Sequence, residues 1–195
     1  MIKLNLAFEK YDNYNRQDPI SYNDNGQEFP QEYFLAIKLY EWVLKLDPNA
    51  TEELLLASRS QHIGRWEIPR NQYPEGRIGY LDWRRNLAKF HADKSSAILQ
   101  EVGYDQKQIE RVRELILKKK IKVDPEVQLL ENALCLVFLE FQYEEFFRKH
   151  ESEKVVNILR KSLLKMDETG HKQALAIHYS EEGASHIKKA LELIA

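Results

Sequence analysis

The sequence predicts an all-α protein: a single-domain bundle of seven or eight helices around a central apolar helix at about residues 125–150. Apolar residues recur every three or four positions along most of the chain, which is the period of an amphipathic helix. We find no segment with the strict apolar and polar alternation that is typical of a half-buried strand. The stretch NALCLVFLEF, at 132–141, is apolar on nearly every side, as expected of a helix buried in a core.

Prolines mark the limits of the predicted helices in the first half of the chain. Asp18-Pro19 and Asp47-Pro48 should end the first two helices, because the residue before a proline disfavours helical torsion angles. Residues 20–30 predict a loop, since Asn, Asp and Gly cluster there. The predicted helices of this half cover about 2–16, 30–47, 50–65 and 78–102.

Glycines and one proline punctuate the second half. Gly103 suits the left-handed position that closes a helix, and Pro125 suits the first turn of the central helix. Gly170 and Gly183 are interpreted as breaks between helices. The predicted helices of this half cover about 105–119, 125–150, 152–166 and 181–194.

Composition excludes several classes of protein. The 195 residues carry a net charge of −2, which argues against non-specific nucleic-acid binding by the whole chain. A single cysteine, Cys135, rules out a disulfide framework and favours a reducing compartment. The first residues carry charges throughout and do not form a signal peptide, and no apolar run approaches the ~18 residues of a membrane span. We therefore expect a cytoplasmic protein with no membrane partner.

Residues 59–85, the arginine-rich segment, stand out from the rest. They hold six arginines, two of the three tryptophans and three of the seven glycines. Six arginines against three acidic residues give the segment a net charge of +3. Because guanidinium groups suit carboxylates and phosphates, we expect this segment to form the wall of an anion site. The predicted substrate-binding residues are Arg59, Arg65, Trp66, Arg70, Tyr73, Arg77, Arg84 and Lys94.

Two histidines lie among these cations. His62 shares a predicted helical face with Arg59 and Arg65, and His91 follows Arg84 on the next helix. Nearby cations should lower the pKa of His91 and keep the ring neutral, able to bind a metal or accept a proton. A structural histidine, hydrogen-bonded inside the fold, is the alternative for each. The other four are expected at the surface: His150, His171, His178 and His186.

A polar stripe in the predicted central helix offers a further group. It comprises Gln128, Glu131, Asn132 and Cys135, at spacings of three or four. Buried polar groups cost a few kcal/mol unless paired, so the stripe must find partners. Glu131 could complete a site with the two histidines or pair with an arginine, whereas Cys135 suits a small core residue. The predicted catalytic residues and metal ligands are His62, His91 and Glu131.

The chain resembles the uncharacterised DUF4202 family over almost its whole length. The similarity rests on FEKYDNYNRQDP, QHIGRWEIPRNQYPEGRIGYLDWR, FHADK, DPEVQLLENALCLVFLEF and KMDETG. This resemblance implies no activity. It does imply Glu-Asp at the position of Glu131-Asn132. If that aspartate bound a metal, the amide of Asn132 would weaken the site.

A fainter resemblance is to the HD-domain metal-dependent phosphohydrolases, which are helical bundles. They gather a His, an adjacent His-Asp pair and a later Asp around a divalent metal. The order of His62, His91 and Glu131 is similar, but Ala92 separates His91 from Asp93. The chain thus departs from the motif at its most diagnostic point, and the likeness suggests the fold more than the catalysis.

Three hypotheses follow for the arginine-rich segment. The first is a hydrolase that acts on a small phosphorylated or nucleotide-like compound and uses a divalent metal. The second is a non-catalytic module that binds an anionic small molecule or an RNA end by charge and stacking. The third is a structural loop whose arginines pair with acidic residues of neighbouring helices.

Overall fold

The computed structural model describes residues 2–194, and 73% of the chain is helical, which confirms the all-α class. The α-helices of this range are α1 Ile2–Asn15, α2 Gln31–Leu46, α3 Glu52–Ser60, α4 Gly76–Val102, α5 Gln106–Ile116, α6 Pro125–Val137, α7 Tyr143–Arg148, α8 Ser152–Leu163, α9 Glu168–Ala176 and α10 Glu181–Glu192. Ten helices exceed the seven or eight predicted, because the 125–150 segment is divided and α9 was not foreseen. Among residues 2–194, none of the helices combines the length and the apolar character that a membrane span requires.

The expectation of a loop without strands at 20–30 is wrong. Strands β1 (Ser21–Asp24) and β2 (Gln27–Pro30) form an antiparallel hairpin. Asn25 and Gly26 both have positive φ angles, 53° and 90°, which is the turn that matches the twist of paired strands. The ring of Tyr22 stacks 4.3 Å from that of Phe34, so the hairpin packs on α2. An Asn-Gly pair is common in hairpin turns as well as in loops. Only the packing of the strands on α2 distinguishes a hairpin from a loop here.

The third predicted helix ends five residues early. α3 stops at Ser60, and residues 61–64 form turns before a short 3₁₀ helix at Arg65–Glu67. Gly64 adopts the left-handed conformation with φ of 68°, which a continuing helix does not allow. His62 therefore lies beyond the helix, and it does not share a helical face with Arg59.

The segment at 125–150 is helical but not uniform. A π-helical stretch, Phe138–Gln142, lies between α6 and α7. The interpretation of Gly170 and Gly183 as breaks is wrong, since they lie within α9 and α10. A Cβ on Gly170 would come within 2.8 Å of the Asn132 side chain, and one on Gly183 within 2.8 Å of Glu144. These glycines permit close packing of helices.

The chain divides into two compact units, with the boundary between Lys119 and Lys120. Unit 1 contains the hairpin and α1–α5, and unit 2 contains α6–α10. The sequence prediction of one domain stays a prediction.

A buried chain of hydroxyl groups ties three helices of unit 1 together. Tyr11 of α1 lies 2.8 Å from the Ser95 hydroxyl of α4, which lies 2.9 Å from that of Ser60 in α3. Ser60 is two residues before His62, and Ser95 is four residues after His91. The chain of hydrogen bonds thus holds the backbone near both histidines.

The polar stripe of unit 2 forms hydrogen bonds that connect α6 to the start of α9. Asn132 donates to the Asp167 carboxylate at 2.8 Å and accepts from the Asp167 backbone N–H at 3.2 Å. Gln128 donates to the same Asn132 oxygen at 3.0 Å. Asp167 also caps α9 by accepting from Gly170 N–H at 3.0 Å. An amide supplies both the donor and the acceptor here, whereas an ionised aspartate at 132 would supply no donor and would face Asp167.

Asn132→Asp is expected to lower the free energy of unfolding by roughly 1–2 kcal/mol at pH 7, because a donated hydrogen bond becomes a contact between two carboxylates. Urea denaturation of both proteins measures the difference. Asn157→Asp, the same change at an exposed position of α8, is the control and should have little effect. Equal losses in the two variants would contradict a specific role for the Asn132 amide.

Two further predictions concern single residues of unit 2. Cys135 is buried, with its sulfur 3.7 Å from the Ser162 carbonyl oxygen, as expected of a small core residue. The surface prediction for His186 is wrong. Its ring is buried and its Nε2 lies 2.9 Å from the Ser152 hydroxyl, because α10 packs that face against α8.

Candidate functional site

The structure brings His62 and His91 together within unit 1. Their ring centroids are 5.7 Å apart, although 28 residues separate them in the chain. His62 lies in the turn after α3 and is partly exposed, whereas His91 lies in α4 and is only 2% exposed. His91 is therefore the inner ring of the pair, and His62 is the outer ring.

The His91 ring is held in one orientation by a single hydrogen bond. Its Nδ1 lies 2.7 Å from the carbonyl oxygen of Ile63. Because a carbonyl only accepts, Nδ1 must carry the proton, and the neutral ring then has a lone pair on Nε2. That Nε2 is buried and finds no hydrogen-bond partner among residues 2–194. Metal-binding and proton-accepting histidines are oriented in this way by a partner on the opposite nitrogen.

Both imidazoles are kept neutral at pH 7. Burial lowers the pKa of His91 to about 4, and the nearby Arg65 acts in the same direction. Burial also lowers the pKa of His62 well below its usual range, and the charges of Arg65, Lys118 and Arg84 add to this effect. The direction agrees with the sequence-based expectation for His91, but burial is a larger cause than the cations.

The turn that carries His62 is fixed on three sides. Gln61 donates from its side chain to the Ile116 carbonyl of α5 at 3.1 Å. The Ile63 N–H donates to the Ser60 carbonyl at 3.1 Å, and the Gly64 N–H donates to the Asn15 side chain at 3.3 Å. The position of His62 relative to His91 is thus set by α1, α3 and α5.

Two of the predicted anion-binding arginines are engaged in the fold. Arg59 is 7% exposed and forms an ion pair with Asp12. Arg70 donates to the carbonyl oxygens of Tyr73 and Pro74, at 2.9 and 2.8 Å, and so closes its own loop. We assign both a structural role, and of the two only Arg59 pairs with an acidic residue of a neighbouring helix, as the third hypothesis states.

Arg65 and Arg84 are the arginines whose charges act on His62. The Arg65 guanidinium lies 5.4 Å from the centroid of the Trp83 ring, and its Nε is 3.8 Å from a carboxylate oxygen of Glu32. Arg84 is exposed and lies 5.8 Å from the Tyr80 ring. These two groups remain accessible to an anion that approaches the histidines.

Four further predicted binding residues lie elsewhere on unit 1. Arg77 is exposed near the start of α4, and the Tyr73 hydroxyl accepts from Asn86 at 3.2 Å. Trp66 lies 5.9 Å from the Tyr14 ring, and Lys94 lies 4.4 Å from the same ring. An open depression of about 480 Å³ adjoins Lys94. It is lined by Asn86, Lys89, Phe90, Asp93, Lys94 and Ala97.

The sequence did not reveal three residues of this region. Tyr14 donates a short hydrogen bond to Glu67 beside Lys94. Glu32 is 4% exposed, and burial raises the pKa of its carboxyl to about 7, against the opposing effect of Arg65. An acidic residue in the first turn of a helix is common, so Glu32 gave no distinctive signal.

Glu131 lies in unit 2, where it is buried and 3.4 Å from the Lys165 ammonium. Its participation in a site with the two histidines stays a prediction. Among residues 2–194, no three side chains of the His, Cys, Asp and Glu types come together in a group that could hold a metal ion.

Comparison with known proteins identifies the family of this chain. The family described as "Domain of unknown function (DUF4202)" matches residues 5–187. The chain belongs to the DUF4202 family. This DUF4202 match includes both histidines and the whole arginine-rich segment. No curated protein matches, and no solved structure matches, so the likeness to HD-domain phosphohydrolases stays a hypothesis.

Proposed function

We propose that this DUF4202 protein is a hydrolase for small phosphorylated or nucleotide-like compounds, with His62, His91 and Arg65 at its site. The proposal rests on the buried Nε2 of His91, which has a lone pair and no partner within the described chain. A buried polar atom without a partner costs about 1–3 kcal/mol, so such an atom calls for an explanation. A water or ligand held between the two imidazoles would satisfy it.

The chemistry of the residues suits attack by water on a phosphate ester. Arg65 and Arg84 would hold the phosphate oxygens, with the partly exposed His62 beside them. A bound anion raises the pKa of a nearby imidazole, which brings the histidines closer to the range where a base works at pH 7. Nε2 of His91 would take the proton of the water as its oxygen attacks phosphorus. The ester bond to phosphorus then breaks, the leaving oxygen takes up a proton from a solvent water, and the proton on His91 returns to solvent.

The proposed reaction does not require a divalent metal, although the site could bind one. The neutral imidazoles of His62 and His91 fit two nitrogen ligands, and the oriented ring of His91 suits that role. A metal would lower the pKa of a bound water toward ~7. No step above depends on it, and Glu131 as a third ligand stays a prediction.

The test is turnover of a panel of phosphomonoesters and nucleotides, together with metal analysis of the purified protein. His91→Asn keeps a donor for the Ile63 carbonyl and removes Nε2, and it should reduce turnover about a hundredfold or more. His62→Asn should also reduce it. His178→Asn, at an exposed position of unit 2, is the control. The proposal would be contradicted if no phosphorylated compound were turned over. Full activity in both His91→Asn and His62→Asn would also contradict it.

A binding module for an anionic small molecule or an RNA end is the second candidate. It is favoured by the aromatic and cationic surface of Trp66, Tyr14 and Lys94 beside the open depression, since a base can stack there while a lysine meets phosphate. Under this proposal a short RNA binds without turnover, and its affinity falls steeply with salt. Trp66→Ala should weaken that binding. RNA affinity that does not change in Trp66→Ala would exclude this surface.

A further inference from the structure

We propose that Glu32 is a positioning residue that sets Arg65 for two-point capture of a terminal phosphate. This inference rests on the anion site of the proposed function. It adds a residue from α2 that the sequence did not single out, and it narrows the substrate class to compounds with a free phosphate end.

The surroundings of Arg65 leave one edge of its guanidinium open. Glu32 lies on the Nε side at 3.8 Å, and the Trp83 ring covers a face at 5.4 Å. Within residues 2–194 the Arg65 guanidinium forms no hydrogen bond, and its shortest contact with the Glu32 carboxylate is made through Nε and not through either of the two Nη atoms. The side chain is 38% exposed, so these two nitrogens can reach a ligand.

The backbone at Glu32 is anchored by Asp18. Its backbone N–H donates to the Asp18 carboxylate at 2.9 Å, and the other oxygen of Asp18 accepts from the Ile20 N–H at 2.9 Å. Asp18 thus fixes the start of α2, and the Glu32 carboxyl comes from a backbone that cannot shift freely. The Trp83 ring is also anchored, since its Nε1 donates to the Ile68 carbonyl at 2.8 Å. Arg65 therefore contacts two residues that are each anchored by a hydrogen bond.

The contact between Glu32 and Arg65 is poor as a stabilising ion pair. A separation of 3.8 Å is too long for a hydrogen bond, and a buried carboxylate pays for its lost hydration only when closely paired. The raised pKa of the Glu32 carboxyl reflects that cost. The same geometry is useful for binding, because the carboxylate directs the guanidinium without occupying its Nη atoms.

Two parallel N–H groups match two oxygens of one phosphate. A terminal phosphate has three unesterified oxygens, so two can face Arg65 while the third faces the histidines. An internal phosphodiester has only two unesterified oxygens. It therefore cannot present two oxygens to Arg65 and a third to the histidines. Holding Arg65 in its binding conformation before the ligand arrives raises affinity, since less side-chain freedom is lost on binding.

The experiment measures binding of inorganic phosphate by calorimetry at pH 8, where the Glu32 carboxyl is mostly ionised. Glu32→Gln should weaken binding about threefold to tenfold, and Arg65→Ala about tenfold or more. In the Arg65→Ala background, Glu32→Gln should cause no further loss. Glu9→Gln, the same change at an exposed position of α1, should bind as the wild type does. Thermal unfolding of every variant confirms that it is folded.

The outcomes separate this inference from the hydrolase proposal. Unchanged affinity in Glu32→Gln overturns the inference, as does the same loss with and without Arg65, which would mean a merely structural role. Absence of phosphate binding in the wild type also overturns it. Phosphate binding that requires both residues, without turnover of any ester, supports the inference while it removes the hydrolase. If turnover is found, Glu32→Gln should raise KM and leave kcat nearly unchanged.

Discussion

Gly64→Ala is expected to lower the free energy of unfolding by about 3 kcal/mol. Gly64 has a φ of 68°, and a side chain in this left-handed region costs about 1–2 kcal/mol. A Cβ there would also lie 2.9 Å from the Glu67 carboxylate and 3.0 Å from the rings of Phe90 and Tyr14. Crowding of this kind adds about 1–3 kcal/mol, because two of the three neighbours are rigid rings.

Gly103→Ala is the matched control for this prediction. Gly103 has a φ of 89°, but a Cβ would meet nothing within 4 Å. It should therefore lose only the conformational part, about 1–2 kcal/mol. Urea denaturation of the two variants gives the difference. Equal losses would show that Tyr14 and Phe90 do not restrict the turn. Since Gly64 lies between His62 and Arg65, a folded Gly64→Ala protein should also bind phosphate more weakly.

The second large effect is on the pH dependence of stability. His91 and Glu32, both in unit 1, change the free energy of unfolding in opposite directions as the pH falls. The pKa of His91 falls from 6.5 to about 4 on folding, so folded protein binds fewer protons than unfolded protein between these values. Its contribution is present above the unfolded pKa and is lost as the pH falls. The pKa of Glu32 rises from 4.5 to about 7, so its contribution is present at low pH and is lost as the pH rises. Each change amounts to about 2 kcal/mol between pH 5 and pH 7.

Single variants should reveal these opposed contributions, which nearly cancel in the wild type. On acidification from pH 7 to pH 5, His91→Asn should gain about 2 kcal/mol relative to the wild type. Glu32→Gln should lose about 2 kcal/mol over the same interval. Chemical denaturation at the two pH values measures both, and His178→Asn serves as the exposed control. Parallel pH profiles for wild type and His91→Asn would mean that the imidazole is not buried neutral.

Local signals accounted for much of the secondary structure. Gly103 closes α4 in the left-handed conformation and Pro125 begins α6, as the sequence predicted. These features act between residues close in sequence, so they can be predicted without the fold. The hairpin was missed because Asn-Gly is equally a loop signal until strands pack, as Tyr22 does on Phe34.

The sequence by itself determined the all-α class, the DUF4202 resemblance and the interest of His62 and His91, since these depend on periodicity and residue type. Only the tertiary structure decided which arginines stay accessible, because ion pairs such as Arg59–Asp12 join residues 47 positions apart. The tertiary structure also decided that the Glu32 carboxylate lies 3.8 Å from Nε of Arg65. No spacing rule connects a residue of α2 with the turn after α3, because that contact arises from helix packing in three dimensions.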